Sequence, residues 1–104
     1  MLEHWDRTIR NRKKPLFILS DRLIVKMFAG ARERVGSDFI EIEVNLPLSV
    51  LQFKEQLAVQ FEALRPLVEF GRIAIENEFV SDSTIIDHAY IHSVIALIPP
   101  VSGG

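Results

Sequence analysis

The chain has no cysteine. That absence excludes a disulfide scaffold, a thiolate zinc site and Cys-based nucleophilic catalysis. Long hydrophobic runs are missing too. The longest uninterrupted apolar stretch is the five residues VIALI (94–98), too short to cross a bilayer, so no membrane partner is expected. The opening MLEHWDRTIR carries Glu3 and Asp6 and lacks an extended apolar core, which argues against a secretory signal and makes the cytoplasm the expected location. There is no glycine-rich phosphate loop of the GxxxxGK[ST] type and hence no ATP site of that kind. A basic surplus is absent from the body of the chain. Residues 23–104 hold six basic and eleven acidic residues (net −5), whereas residues 1–22 hold six basic against three acidic (net +3). A folded body without excess positive charge is not a nucleic-acid binder; it suits a positively charged protein partner.

What is present is one domain's worth of chain, 104 residues, nearly half of them hydrophobic and a quarter charged, enough for a single core. Residues 1–22 read as an extension. Leu2, Trp5 and Ile9 could line one side of a short helix that Pro15 would end, and the extension is expected to be flexible. The domain proper is expected over 23–104, with an extended tail over 99–104.

Within it, LIVKMFA (23–29) reads as a strand that is apolar on both faces and therefore central in a sheet. GARERVGSD (30–38) is polar with glycines near both ends, a loop or single helical turn. FIEIEV (39–44) alternates, with Ile40, Ile42 and Val44 against Glu41 and Glu43, so it is a half-buried strand and the hairpin partner of the first. Ser49 followed by Gln52 has the spacing of a capping box. Val50, Phe53, Leu57, Phe61 and Leu64 then recur at helical spacing, and Pro66 is expected to stop that helix. RIAI (72–75) and EFV (78–80) flank Glu76-Asn77, a tight turn because Asn tolerates left-handed geometry. SDSTIIDHAYIH (81–92) is connecting structure, and SVIALI (93–98) is a second strand buried on both faces. The order β-β-α-β-β, with first and last strands side by side and parallel at the sheet centre, is an α+β fold of the β-grasp (ubiquitin-like) type.

The closing residues need a separate explanation. Pro99 and Pro100 have fixed φ and no N–H, so they end sheet pairing and favour an extended path. Gly103 and Gly104 lack Cβ and can thread a channel too narrow for other residues. From Pro99 to Gly104 the segment can reach roughly 20 Å. Val101 and Ser102 supply one apolar anchor and one small polar group. The only functional group at the tip is the α-carboxylate of Gly104, which needs activation before a nucleophile can displace an oxygen from it.

IALIPPVSGG (95–104) resembles the C-terminal signature of the small, sulfur-carrier subunit of molybdopterin synthase. VKMFAGARERVGSDFIEIEV (25–44) is similar to the first hairpin of that family, and AIENEFV (74–80) to its Asn-centred hairpin. The resemblance implies that the Gly104 carboxylate is adenylated with ATP by a ubiquitin-activating-type enzyme and converted to a thiocarboxylate. The tail then enters the large subunit of molybdopterin synthase, where the sulfur passes to cyclic pyranopterin monophosphate. It further implies a heterotetramer of two small and two large subunits, tail recognition through Gly103, Ser102, Val101, Pro100 and Pro99, and no cofactor or metal bound to the carrier itself. With no cysteine, sulfur would ride on the backbone terminus and not as a persulfide. Two departures stand out: His92-Ser93 occupies a turn that the family usually builds from Gly-Asp, and the 22-residue extension has no counterpart in the family core.

Other candidates carry less. Phe28 suits core packing and a partner surface equally, and Arg32 with Arg34 could meet a partner or remain solvated. His88 and His92 stand four apart, but neither a helical pattern nor a carboxylate cluster accompanies them, so no metal is expected. Alternatives to the molybdopterin assignment are a carrier for thiamine or tRNA thiolation, a ubiquitin-like protein modifier, and a binding module with an inert tail. A self-sufficient enzyme is disfavoured because no catalytic pair is evident.

Overall fold

A computed structural model of the chain describes residues 20–100. The expectations placed on residues 1–19 and on Val101, Ser102, Gly103 and Gly104 lie outside that range.

The first strand, β1 (Asp21–Met27), pairs antiparallel with β2 (Phe39–Val44), Val25 opposite Ile40 and Leu23 opposite Ile42. The last strand, β7 (Ile95–Ile98), runs parallel to β1 and antiparallel to β4 (Arg72–Ile75), which pairs in turn with β5 (Glu78–Phe79). The sheet order is therefore β2-β1-β7-β4-β5, with the two strands expected at the centre lying there side by side. A two-stranded ribbon of β3 (Leu48–Ser49) and β6 (Ile85–Ile86) stands apart. This is the β-grasp arrangement.

The main helix, α2 (Val50–Gln60), starts where the capping box places it: Gln52 N–H donates to Ser49 Oγ (3.1 Å) and Ser49 N–H to Gln52 Oε1 (2.9 Å). It buries Val50, Phe53 and Leu57 against Leu23, Val25, Ile42, Ile73, Ile95 and Leu97 of the sheet. Each such side chain contributes roughly 1.5–3 kcal/mol on leaving water.

Several expectations are corrected. Strand β1 begins two residues earlier than expected, taking in Asp21 and Arg22, and ends at Met27. The 30–38 segment is helical, as one of the two expectations had it, but longer than a single turn: α1 (Ala29–Val35) takes up most of it, closed by Gly36 in left-handed geometry (φ 73°) whose N–H donates to Arg32 O. Its first residue, Ala29, is itself left-handed (φ 47°). Pro66 does not stop the main helix. That helix breaks at Phe61 (φ −130°, ψ 85°), a 3-10 turn covers Glu62–Leu64, and Pro66 lies in the first turn of α3 (Arg65–Phe70). A proline there forfeits no hydrogen bond, because first-turn N–H groups have no helical acceptor. Arg65, the residue before it, remains helical (φ −50°, ψ −49°) and ties back through Nε to Glu62 Oε2 (3.1 Å) and through Nη2 to Ala58 O (3.4 Å). The 81–92 connection contains β6 and a 3-10 turn at His88–Tyr90. Strand β7 starts at Ile95, two residues after the expected Ser93.

The burial of β1 also differs from expectation. Leu23, Val25 and Met27 are buried, whereas Ile24 is 49% exposed and Phe28, just past the strand, lies open. The helical layer covers only one face of the sheet, so alternate residues of β1 face outward among the described residues. Strand β7 fits expectation better, because Ala96 is small enough to be sheltered by the larger side chains around it.

Edge strand β2 is closed in part by side chains that imitate a neighbouring strand. Gln60 Nε2 donates to Glu43 O (2.7 Å) while its Oε1 accepts from Glu43 N–H (3.2 Å). Ser37 Oγ does the same for Phe39, donating to O (2.7 Å) and accepting from N–H (3.3 Å). Unpaired edge groups invite association, and here two of the three outward-facing positions, Phe39 and Glu43 but not Glu41, are satisfied internally.

Candidate functional site

Because β7 is sandwiched between β1 and β4, the chain leaves the body from the centre of the sheet. Ile98 and Pro99 are half-buried and Pro100 is exposed. The parallel pairing of Met27 with Leu97 puts Phe28 level with Ile98, and the antiparallel register puts Arg72 opposite Ile98 on the other side. The root of the tail is thus flanked by Phe28 and Arg72. Beneath it Gly71, buried, lets the backbone of α3 approach that of β7: a Cβ at residue 71 would lie 2.5 Å from Leu67 O and 2.9 Å from Ile98 O.

Two depressions meet at this root. On the helix side, Phe28, Gly30, Glu33, Leu67, Pro99 and Pro100 line a cleft of about 750 Å³. On the open face of the sheet, Lys26, Phe28, Phe79, Val94 and Ile98 surround a trough of about 210 Å³ floored by Ala74 and Ala96. Register explains the floor. Phe39, Lys26, Ala96, Ala74 and Phe79 form one transverse row across the five strands, with the two smallest side chains in the middle. Phe39 (51% exposed) and Phe79 (53%) stand at its ends.

The β4–β5 turn is anchored beside the trough. Glu76 and Asn77 are both left-handed (φ 52° and 70°). Glu76 N–H donates to Val94 O, and its carboxylate accepts from Val94 N–H, each at 2.9 Å. Two hydrogen bonds hold a glutamate in a conformation L-residues disfavour, and they fix the entry into β7. Asn77 is a turn residue, as expected.

Of the expected partner residues, Phe28 lies at the site, on the open face and in contact with both depressions. Arg32 lies on α1, exposed, with Nη1 3.6 Å from Asp38 Oδ1. Arg34 donates to Ala63 O (3.3 Å). His88 Nε2 is 3.3 Å from Asp21 Oδ2, tying the 3-10 turn to the start of β1. Among the described residues no group of three or more potential metal ligands converges, and no helix is long and apolar enough to cross a membrane. The trough residues Lys26, Ala74, Phe79 and Ala96 were missed from sequence, as was Arg72. A signal existed: Lys26 interrupts an otherwise apolar strand, and with Arg22 and Ile24 it marks an outward face at period two.

A family model described as the ThiS family matches residues 25–104, from within β1 through Gly104. The chain belongs to the ThiS family. The ThiS-family match takes in Phe28, Arg32, both tail prolines and Gly103-Gly104 and leaves out the N-terminal extension. The molybdopterin synthase sulfur carrier subunit of Arabidopsis thaliana is 29% identical over 80 residues, covering 77% of this chain and 80% of its own length. Among solved structures, SAMP1 from Haloferax volcanii superposes with a TM-score of 0.65 at 23% identity, over 80% of this chain and 99% of its own. The complex of subunits 1 and 2 of the molybdopterin-converting factor from Helicobacter pylori gives a TM-score of 0.53 at 20% identity, over 80% and 99%. Both structural likenesses establish the ubiquitin-like fold.

Proposed function

We propose that this ThiS-family chain is a sulfur carrier of the molybdopterin synthase type and that its cargo is carried on the C-terminal carboxyl of Gly104. The observation that carries the proposal is a family match running through Gly104 on a fold whose central strand launches the tail. The Arabidopsis relative, named for that role, supports it.

In the proposed cycle a carboxylate oxygen of Gly104 attacks the α-phosphate of ATP on a ubiquitin-activating-type enzyme, releasing pyrophosphate. Sulfide then attacks the acyl carbon and AMP departs, leaving a thiocarboxylate. Inserted into the large subunit, the tail delivers that sulfur to cyclic pyranopterin monophosphate, and two deliveries complete the dithiolene. The carrier acts here as a substrate in a complex of two small and two large subunits. The Helicobacter complex of subunits 1 and 2 supports such a partner. Val101, Ser102 and Gly103 are the proposed recognition elements of the inserted tail, with Pro99 and Pro100 holding it away from the sheet. The side chains of the folded body take no part in this chemistry. At the tail root the described residues offer only Lys26, Glu33 and Arg72 as charged groups, and none is asked to act on the acyl carbon.

The test is direct. Incubation of the chain with ATP, an activating enzyme and a sulfur source shifts its intact mass by one oxygen-to-sulfur replacement, and one extra residue after Gly104 abolishes the shift without altering the melting temperature. An unchanged wild-type mass, under conditions that charge a known carrier, refutes the proposal. The likeness to SAMP1 from Haloferax volcanii, a small archaeal modifier protein by name, favours one second reading, in which the activated terminus is joined to protein amines. Recovery of covalent conjugates in place of sulfurated pterin distinguishes it.

A further inference from the structure

The outer side of α2 departs from the pattern of a helix that covers a sheet. Val50, Phe53 and Leu57 already pack into the core, so the opposite stripe, at four-residue spacing, is expected to be polar. It reads Leu51, Glu55, Val59, with Leu51 48% and Val59 63% exposed. Those two apolar side chains, together with Ala58 and with Val68 of α3, line a groove of about 680 Å³ between the two helices. Charge along the groove is uneven. Lys54 meets Asp82 (3.4 Å) and Arg65 meets Glu62 (3.1 Å), whereas Glu55 and Glu69 meet no Lys or Arg among the described residues. The groove is therefore apolar along its floor, with two carboxylates left over at its edge.

The chain itself supplies a segment of complementary chemistry. Residues 1–19 hold five basic residues, Arg7, Arg10, Arg12, Lys13 and Lys14, against Glu3 and Asp6 (net +3). Leu2, Trp5 and Ile9 stand at the spacing of one helical face. This segment joins the body at Ser20, which lines a depression shared with Gln52, Glu55 and Gln56 of α2. Glu55 borders that depression and the groove alike, so the point of entry and the groove adjoin across one helix. The lengths agree. Leu51 to Val59 covers about 12 Å of helix, and Leu2 to Ile9 would cover about 10 Å. Residues 10–19 reach roughly 30 Å when extended, ample to cross a helix about 10–12 Å wide. We propose that residues 1–19 pack across α2, laying Leu2, Trp5 and Ile9 into the α2–α3 groove with basic side chains toward Glu55 and Glu69. So short a tether holds the segment at an effective concentration of the order of mM, which favours it over a free partner. A second copy fits worse, because groove-to-groove pairing sets Glu55 and Glu69 of both copies against one another. The tail stays clear of this contact. Strand β1, from Asp21 to Met27, places the entry point about 20 Å from the end of the sheet where the tail departs. The inference goes beyond the carrier reading and does not rest on it.

The chain has a single tryptophan, Trp5, so its fluorescence in the full-length protein tests the contact. Native emission lies to the blue of that of the urea-unfolded chain, and acrylamide quenches it several-fold more slowly. Val59→Glu, and separately Leu51→Glu, shift the emission to the red and remove most of that protection, because each sets a charge in the apolar contact. Protection in the wild type falls as salt is raised, and Glu55→Gln combined with Glu69→Gln removes most of that salt response. Thermal melts followed by circular dichroism check that every variant keeps its fold. Wild-type emission that matches the unfolded chain overturns the inference. So does protection that survives both groove variants, which puts Trp5 elsewhere, and so does a salt response untouched by the double glutamine variant. Protection that falls on dilution assigns the contact to a second copy and overturns it as well.

Discussion

Replacing Gly71 by alanine probes the one place where the body of the domain grips the root of the tail. The backbone there is ordinary for any residue (φ −88°, ψ −179°), so alanine meets no conformational penalty and the whole effect is steric. Its Cβ would stand 2.5 Å from Leu67 O, 2.9 Å from Ile98 O and 3.3 Å from Leu97 Cδ1. Carbon–oxygen contacts settle at about 3.3 Å or more, so α3 and β7 must separate by a large fraction of an ångström. The two closest obstacles are backbone atoms in packed elements, which places the cost at the upper end of the overpacking range, about 3 kcal/mol. For a domain of this size that is a fall in melting temperature of roughly 15 °C.

Gly36→Ala is the internal comparison. Gly36 is left-handed (φ 73°), and an added Cβ meets nothing within 4 Å, so only the dihedral penalty remains, about 1 kcal/mol. Thermal melts followed by circular dichroism, with urea titrations to check the slope, measure both variants. A Gly71→Ala chain that melts within a few degrees of wild type, or no lower than Gly36→Ala, would falsify the close approach of α3 to the tail root.

Two further outcomes follow from the hydrogen bonds. Ser49→Ala removes the side-chain half of the capping box and destabilises the domain by about 1 kcal/mol; an unchanged urea midpoint would show that the cap is not stabilising α2. Ser37→Ala combined with Gln60→Ala strips both side-chain imitations of a neighbouring strand from β2. Concentration-dependent association in analytical ultracentrifugation is expected, and a double variant that stays monomeric shows that the edge is protected by other means.

The paired central strands, the hairpin turn at Glu76-Asn77 and the capped start of α2 were legible in the sequence, because each is written in local chemistry: alternation, a residue tolerant of left-handed geometry, a Ser-x-x-Gln spacing. The break at Phe61 was not. Phe61 continues the apolar stripe of α2, and its departure from helical angles serves the packing of the 3-10 turn and α3, a demand placed by elements that lie later in the chain. Pro66 was misjudged for the same reason, since proline ends one helix as readily as it begins another and only the neighbouring break decides which.

That the chain leaves the sheet after Ile98 was readable from IPP alone, because proline has no N–H to give a ladder. The surface around the root of the tail was not readable. Lys26, Ala74, Phe79 and Ala96 come from four different strands and become one trough only when sheet order and register set them in a row. Local sequence thus determined the paired strands, the hairpin turn and the capped start of α2. Tertiary structure alone decided which face of the sheet stays open and which three cations among the described residues, Lys26, Arg34 and Arg72, meet no carboxylate, because both depend on contacts between residues distant in the chain.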